Sequence, residues 1–278
     1  PSAPRPAGLP DGLWRDEGLL LLGTPHGVGP NQGEDAPLPV GSSVVVGHLA
    51  KVLLSYEKFV AGLKQVVRDA PPGSPRVQTA TLLLRMCGQG KVTHLLRTLP
   101  PAVTLSFAAK VDAATEEAVE CLCQFDPLTA DQRDQLRLPH RLGGFGLRAQ
   151  KQLRGVAYVG SWLGCLEGVR ERCPAGAADK AAFQTGEHDW AEGVRQALAE
   201  LAAEGVHLSE QGEVVSGAAP PVPWAWEDGS APVEKAQRLL TRALEAKRRE
   251  ELLDRSRTRE DRARLRSAAG TGAGAWLQ

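Results

Sequence analysis

The chain has 278 residues, 42% of them apolar and 24% charged, enough to bury the core of one large or two ordinary domains. Its 33 Lys and Arg cancel its 33 Asp and Glu, so the molecule as a whole exerts no net pull on polyanions, and any nucleic-acid contact depends on a local patch. Aromatic residues make up only 5%, which argues against a sandwich of ring-rich strands and favours packing by Leu, Val and Ala on helices.

Residues 1–17 hold several prolines and no periodicity, and read as a disordered lead-in. Gly18-Leu-Leu-Leu-Leu-Gly23 is a short apolar run between glycines, predicting a buried strand or hairpin that leads into a Gly/Pro/Asp-rich loop through residue 42. From about Ser43, Val45, Leu49, Val52, Leu53, Tyr56, Val60, Leu63 and Val67 recur at spacings of three and four, predicting a long helix stopped by Pro71-Pro72. A second helix is predicted from about Pro75 to Cys87, ended by Gly88 and Gly90, and a short third from Val92 to Leu99 before Pro100-Pro101. Phe107, Val111, Ala114, Ala118 and Leu122 then predict a fourth, closing before Pro127. Further on, Leu153, Val156, Ala157, Gly160, Leu163 and Gly164 mark another helix, whose two glycines four apart admit a close neighbour.

Asp189 and Glu192 make a capping pair for a helix bearing Val194, Ala197, Leu198 and Leu201. Residues 205–231 are Gly/Pro-rich, with a small hairpin around Gln211-Gly212. The segment 232–266 reads as one charged helix supported by Glu234 with Arg238, Glu245 with Arg249 and Glu251 with Arg255 at i,i+4. Residues 267–278, rich in Gly and Ala, read as a disordered tail.

The stretch Leu138-Pro-His-Arg-Leu-Gly-Gly-Phe-Gly-Leu-Arg148 is glycine-rich, but neither dinucleotide nor phosphate-loop spacing is present and no strand precedes it. Its composition fits a reversal between helices, with Pro139 stopping one and the glycines turning at positive φ. What the turn does not explain is charge. Arg137, Arg141, Arg148, Lys151 and Arg154 fall within one short span containing no acid, which makes either a phosphate-contacting surface or a solvated basic face.

No catalytic or metal constellation emerges. None of the six histidines pairs with another at i+4, and His188-Asp189 lacks a nucleophile motif. The 13 aspartates are scattered, with no Asp-Asp pair for two-metal chemistry. Five cysteines at irregular spacing (Cys87, Cys121, Cys123, Cys165 and Cys173) read as reduced intracellular thiols. No run of about twenty apolar residues predicts a membrane span. Localisation in the nucleus or cytoplasm, with no membrane partner, is therefore the expectation.

Several segments in order carry a resemblance. Leu19-Leu-Leu-Leu-Gly-Thr-Pro-His-Gly27, Leu95-Leu-Arg-Thr-Leu-Pro-Pro101, Phe125-Asp126, the stretch 138–148 and Ala157-Tyr-Val-Gly-Ser-Trp162 resemble the region downstream of the palm in reverse transcriptase-like proteins of non-LTR retrotransposons. The resemblance spans about residues 18–165. In that family the Mg²⁺-binding aspartates lie upstream, in a Tyr-x-Asp-Asp turn this chain does not contain.

The resemblance therefore implies a fragment of an RNA-directed DNA polymerase, inactive by itself, whose partners are an RNA/DNA template–primer duplex and the missing palm. It further implies that Leu22 and Gly23 support the primer end. By the same assignment Arg97, Arg137, Arg141, Arg148, Lys151 and Arg154 are candidates for backbone contact, although no family motif fixes them individually.

The expected architecture is mostly α: a multi-helix, bundle-like thumb region with a small N-terminal β element, a C-terminal charged helix and disordered termini. Its segments are 1–17, 18–42, a helical domain over 43–174, a helix and linker over 175–231, the charged helix 232–266 and the tail 267–278. A different class of reading is a helical protein-interaction module with no nucleic-acid role, in which the last helix engages a partner.

Overall fold

The computed structural model describes residues 14–15, 18–21, 24–27, 43–71, 74–124, 127–172, 189–208, 214–216, 236–256 and 258–269. The protein is mostly α-helical, as the composition and periodicity predict. Backbone ladders are short: Gly18–Leu21 lies antiparallel to Thr24–Gly27, and Val206–Leu208 to Val214–Ser216. The side chains of the N-terminal ladder lie outside the described residues, so its burial is not assigned. Leu22, Gly23, Phe125, Asp126 and both chain ends lie outside the described residues.

Helix α1 (Ser43–Asp69) buries Val45, Leu49, Tyr56, Val60 and Leu63 along one stripe. Tyr56 is 1% exposed, and its hydroxyl lies 2.7 Å from Thr115 Oγ1. Because Thr115 already donates to Val111 O at 2.8 Å, the tyrosine must be the donor.

The second and third predicted helices are one continuous rod. Helix α2 (Arg76–Leu83) passes through a π-turn at Leu84–Gly88 directly into α3 (Gln89–Thr98). Gly88 does not end a helix as expected; it is buried within this one. The reason lies in the register of the buried side. Ala80, Leu84, Gly88 and Val92 follow one another at intervals of four, whereas an α-helix repeats every 3.6 residues. Such a stripe drifts around a regular helix, and the wider π-turn absorbs the excess and keeps it facing the core.

Helix α4 (Pro101–Cys123) opens with proline at its first position and closes on Gln124 in the left-handed region, φ 55°. Helix α5 (Ala130–Arg137) starts at a capping box, with Thr129 and Gln132 bonding each other's backbone N–H. The stretch 138–148 follows as the expected reversal. Gly143 and Gly146 have φ of 88° and 75°, and the N–H groups of Phe145, Gly146 and Leu147 return to the carbonyls of Leu136 and Leu138, closing the end of α5.

Helix α6 (Gln150–Arg172) is the centre of the molecule. Gly155, Val156, Ala157, Tyr158 and Val159 are buried in unbroken succession, so this part of the helix faces protein all round rather than on one stripe. Its neighbours are α3, α4, α7 (Asp189–Ala203) and α8 (Ala236–Arg255). At Gly160 an added Cβ would stand 2.6 Å from Gln237 Cα, so only glycine admits α8 this closely; Gly164 has open space instead.

One core joins Val45 of α1 to Leu244 of α8, and it includes Val194, Ala197 and Leu201 of α7. The segments expected beyond residue 174 therefore supply side chains to the same core as α1 to α6.

The predicted charged helix is two. Helix α8 ends at Arg255, and α9 (Arg259–Ser267) begins anew behind Thr258, whose side chain accepts from Asp261 N at 3.0 Å. Two of the i,i+4 pairs read from the sequence are replaced: Glu245 binds Arg141 and Arg148, and Glu251 pairs with Lys247 and Arg248, while Glu234 of the third lies outside the described residues. Glu245 is 7% exposed, so tertiary neighbours rather than its own helix decide its partners.

Candidate nucleic-acid interface

The N-terminus of α6 gathers most of the candidate cations, and a buried carboxylate fixes it in place. Asp112 of α4 accepts Gln150 N at 2.6 Å and Lys151 N at 2.9 Å, satisfying two first-turn donors of α6 from another helix. Burial raises its carboxyl from 3.8 to about 6 despite these two bonds and the nearby Arg137 guanidinium, with Glu116 adding to the rise.

Around this anchor the structure pairs four of the six candidates with acids. Arg137 binds Glu116 and approaches Asp134 at 3.9 Å. Arg141 donates through Nη2 to Glu245 Oε2 at 2.5 Å, and Arg148 through Nε to Glu245 Oε1 at 2.8 Å. The two arginine side chains are 48% and 46% exposed, while the Glu245 carboxylate beneath them is buried. Arg154 reaches Glu200 Oε2 at 2.6 Å and also donates to Lys151 O.

Lys151 and Arg97 are exposed. Arg97, in the last turn of α3, lies near Cys165, where its charge draws down a thiol that burial pushes up. Residues 151 and 165 are about 21 Å apart along α6. Arg97 and Lys151 thus mark opposite stretches of the molecule, and the six candidates do not form one patch.

The turn also holds a histidine that sequence reading passed over. His140 Nε2 and Phe145 O are 2.9 Å apart, and Arg85 Nη1 lies 2.9 Å from both Nδ1 and Nε2. A carbonyl only accepts, so the bond to Phe145 needs the proton on Nε2, and the Arg85 guanidinium lies against the ring as a whole. Burial lowers its pKa, opposed by the bond to Phe145 and aided by the Arg85 charge. No sequence pattern pointed to Asp112, Glu245 or Arg85 as partners of this region, since each meets it across a gap of tens of residues or more.

Between α5 and α8 a cavity of about 40 Å³ is lined by Asp134, Arg137, Arg148, Glu245 and Arg248 with Leu153 and Leu244. It has room for a few waters at most. Among the described residues no group of three His, Cys, Asp or Glu could hold a metal ion, and no helix is long and apolar enough to cross a membrane. Comparisons of the chain with protein-family models, with curated proteins and with solved structures return no match.

Proposed function

We propose that the chain is the thumb-like, nucleic-acid-contacting part of a reverse transcriptase-like protein of the non-LTR retrotransposon kind. It grips the phosphate backbone of an RNA/DNA template–primer duplex and has no polymerase chemistry of its own. The ordered motifs support the family, and one observation in the structure supports the contact. Arg141 and Arg148 are held on the single buried carboxylate of Glu245 with each guanidinium half exposed. Each spends one N–H on that acid, and the remaining donors form a pre-oriented pair with net charge +1 suited to phosphate oxygens.

The test is fluorescence anisotropy with a labelled RNA–DNA duplex over a salt series. Affinity falls steeply with salt, and the variant Arg141→Gln with Arg148→Gln and Glu245→Gln, which keeps neutral hydrogen-bonding groups in place, flattens the log–log slope by about 1.8, two phosphate contacts' worth. A salt-independent affinity, or a triple variant that is folded by circular dichroism and binds unchanged, removes the reading. In the same preparation Mg²⁺, template, primer and nucleotides give no extension above blank.

A second reading, a helical protein-interaction module, draws on Leu83 and Met86, 37% and 64% exposed beside exposed Cys87 at the π-turn. The apolar side of α8 does not serve it, because Leu240, Leu244 and Leu252 are buried in the fold. Binding of a protein through Leu83 and Met86 would be insensitive to salt.

A further inference from the structure

The last turns of α1 and α4 and the first turn of α2 line a cleft of about 610 Å³. That is the size of a small-molecule site. Its walls are Lys64, Val67 and Arg68 from α1, Arg76 and Val77 from α2, and Cys121, Leu122, Cys123 and Gln124 from α4. Among the described lining residues three carry positive charge and none is acidic.

Lys64 donates to Glu117 Oε1 at 2.6 Å, so its charge is largely spent. Arg68 and Arg76 have only neutral acceptors: Gln65 Oε1 at 3.3 Å for the first and Ala70 O at 3.1 Å for the second. The Arg76 bond also covers a carbonyl at the negative end of α1, removing one feature that would repel an anion. Val67, Val77 and Leu122 supply an apolar wall beside the guanidiniums.

We propose that this cleft binds an organic phosphate of nucleotide size, its phosphoryl group on Arg68 and Arg76 and its apolar body against Val67, Val77 and Leu122. Guanidinium forks match phosphate oxygens in pairs, and the volume exceeds what inorganic phosphate alone would fill. The same chemistry is offered by a free mononucleotide and by the phosphorylated end of a strand. The site lies on different helices from the Arg141–Arg148 pair and does not depend on the duplex-binding reading.

Exposed Cys121 in the wall is a reporter. The full chain is treated with iodoacetamide, and modification of Cys121 and Cys87 is followed by peptide mass mapping. Adenosine 5′-monophosphate slows alkylation of Cys121 several-fold and leaves Cys87, at the π-turn, unchanged; adenosine without the phosphate does not protect. Arg68→Gln, an exposed position whose loss leaves the fold intact, raises the half-protecting concentration about tenfold, the worth of one charge-assisted hydrogen bond.

A 5′-phosphorylated thymidine tetranucleotide that protects at lower concentration than the mononucleotide assigns the site to a strand end, and the reverse order assigns it to a free nucleotide. No protection by either at millimolar concentration, equal protection by adenosine, or an unaltered Arg68→Gln overturns the proposal. Duplex anisotropy is unaffected by Arg68→Gln if the two sites are separate, so the failure of one proposal is read apart from that of the other.

Discussion

Asp112 gives the sharpest test of the packing between α4 and α6. Its carboxylate receives two backbone N–H bonds, an arrangement that ordinarily holds a carboxyl group below its usual range. Yet burial lifts it from 3.8 to about 6. A rise of that size corresponds to about 3 kcal/mol, at about 1.4 kcal/mol per unit, and at 9% exposure solvent relieves little of it.

The sign follows from linkage. The folded-state value lies above the unfolded one, so the native state holds the proton more tightly, and the associated stability is full below pH 3.8 and lost as pH rises through about 6. His140 titrates in the opposite sense: its lowered value makes stability fall as pH drops through the histidine range. The raw pH profile therefore mixes the two. The difference between the native chain and Asp112→Asn isolates the carboxyl.

Asparagine removes the buried charge but offers one acceptor oxygen for two amides, orphaning one N–H at about 1–3 kcal/mol. The value of about 6 already counts that loss, because protonation leaves the same N–H short of an acceptor, so at pH 7.5 Asp112→Asn is the more stable by up to about 3 kcal/mol. At pH 4.5 the native carboxyl is largely protonated and offers, like asparagine, one carbonyl oxygen to the two amides, and the difference falls to about 1 kcal/mol or less. Urea denaturation followed by far-UV circular dichroism at both pH values measures this. A difference that does not change with pH, or one that favours the native chain more at pH 7.5 than at 4.5, would show that the two N–H bonds outweigh burial and refute the reasoning.

Two further substitutions probe single contacts. Gly160→Val drives a branched side chain into the backbone of Gln237 and separates α6 from α8, lowering stability by about 1–3 kcal/mol with a matching fall in thermal midpoint; an unchanged midpoint would mean that α8 does not sit there. Tyr56→Phe removes one buried donor bond, costs about 1 kcal/mol in urea titration, and leaves Thr115 bonded to Val111; a cost several times larger would place the hydroxyl in a wider network.

Helices whose buried residues keep a steady stripe were legible from the sequence. In α1 and α4 the spacing of Tyr56, Val60 and Leu63, or of Phe107, Val111 and Ala118, fixes both the element and its inner face. The turn at 138–148 was legible too, because proline and glycine act through their own backbones. The π-turn left a readable trace in the four-residue intervals from Ala80 to Val92, but Gly88 and Gly90 looked like a stop because glycine's helix penalty is local and its burial is not. Thr258 followed three residues later by Asp261 was a usable start signal for α9, masked by the charge pattern running through it.

The basic cluster was misleading for a different reason. A local count of charge from Arg137 to Arg154 sees five cations and no acid, whereas, Asp134 aside, the acids that pair with its arginines sit 21 to 104 residues away. No periodicity within a single helix encodes such distances.

The compensation of that cluster changes what kind of binding the surface supports. Arg133, Arg137, Arg141, Arg148, Arg154 and Arg255, together with Lys151, meet Asp112, Glu116, Asp131, Asp134, Glu200 and Glu245, seven cations against six carboxylates, which leaves +1. At distances beyond a Debye length a duplex meets almost no steering field, in line with the zero charge of the whole chain. At contact it meets oriented guanidiniums. Association should therefore run near the unsteered range, about 10⁵–10⁶ M⁻¹s⁻¹, and depend weakly on salt, while the salt sensitivity of the affinity appears in dissociation. Stopped-flow mixing with a fluorescent RNA–DNA duplex separates the two rates. An association rate near 10⁸ M⁻¹s⁻¹ at low salt that collapses as salt rises is the signature of an uncompensated basic patch, and would mean that Glu245 and Glu200 do not hold their arginines in solution.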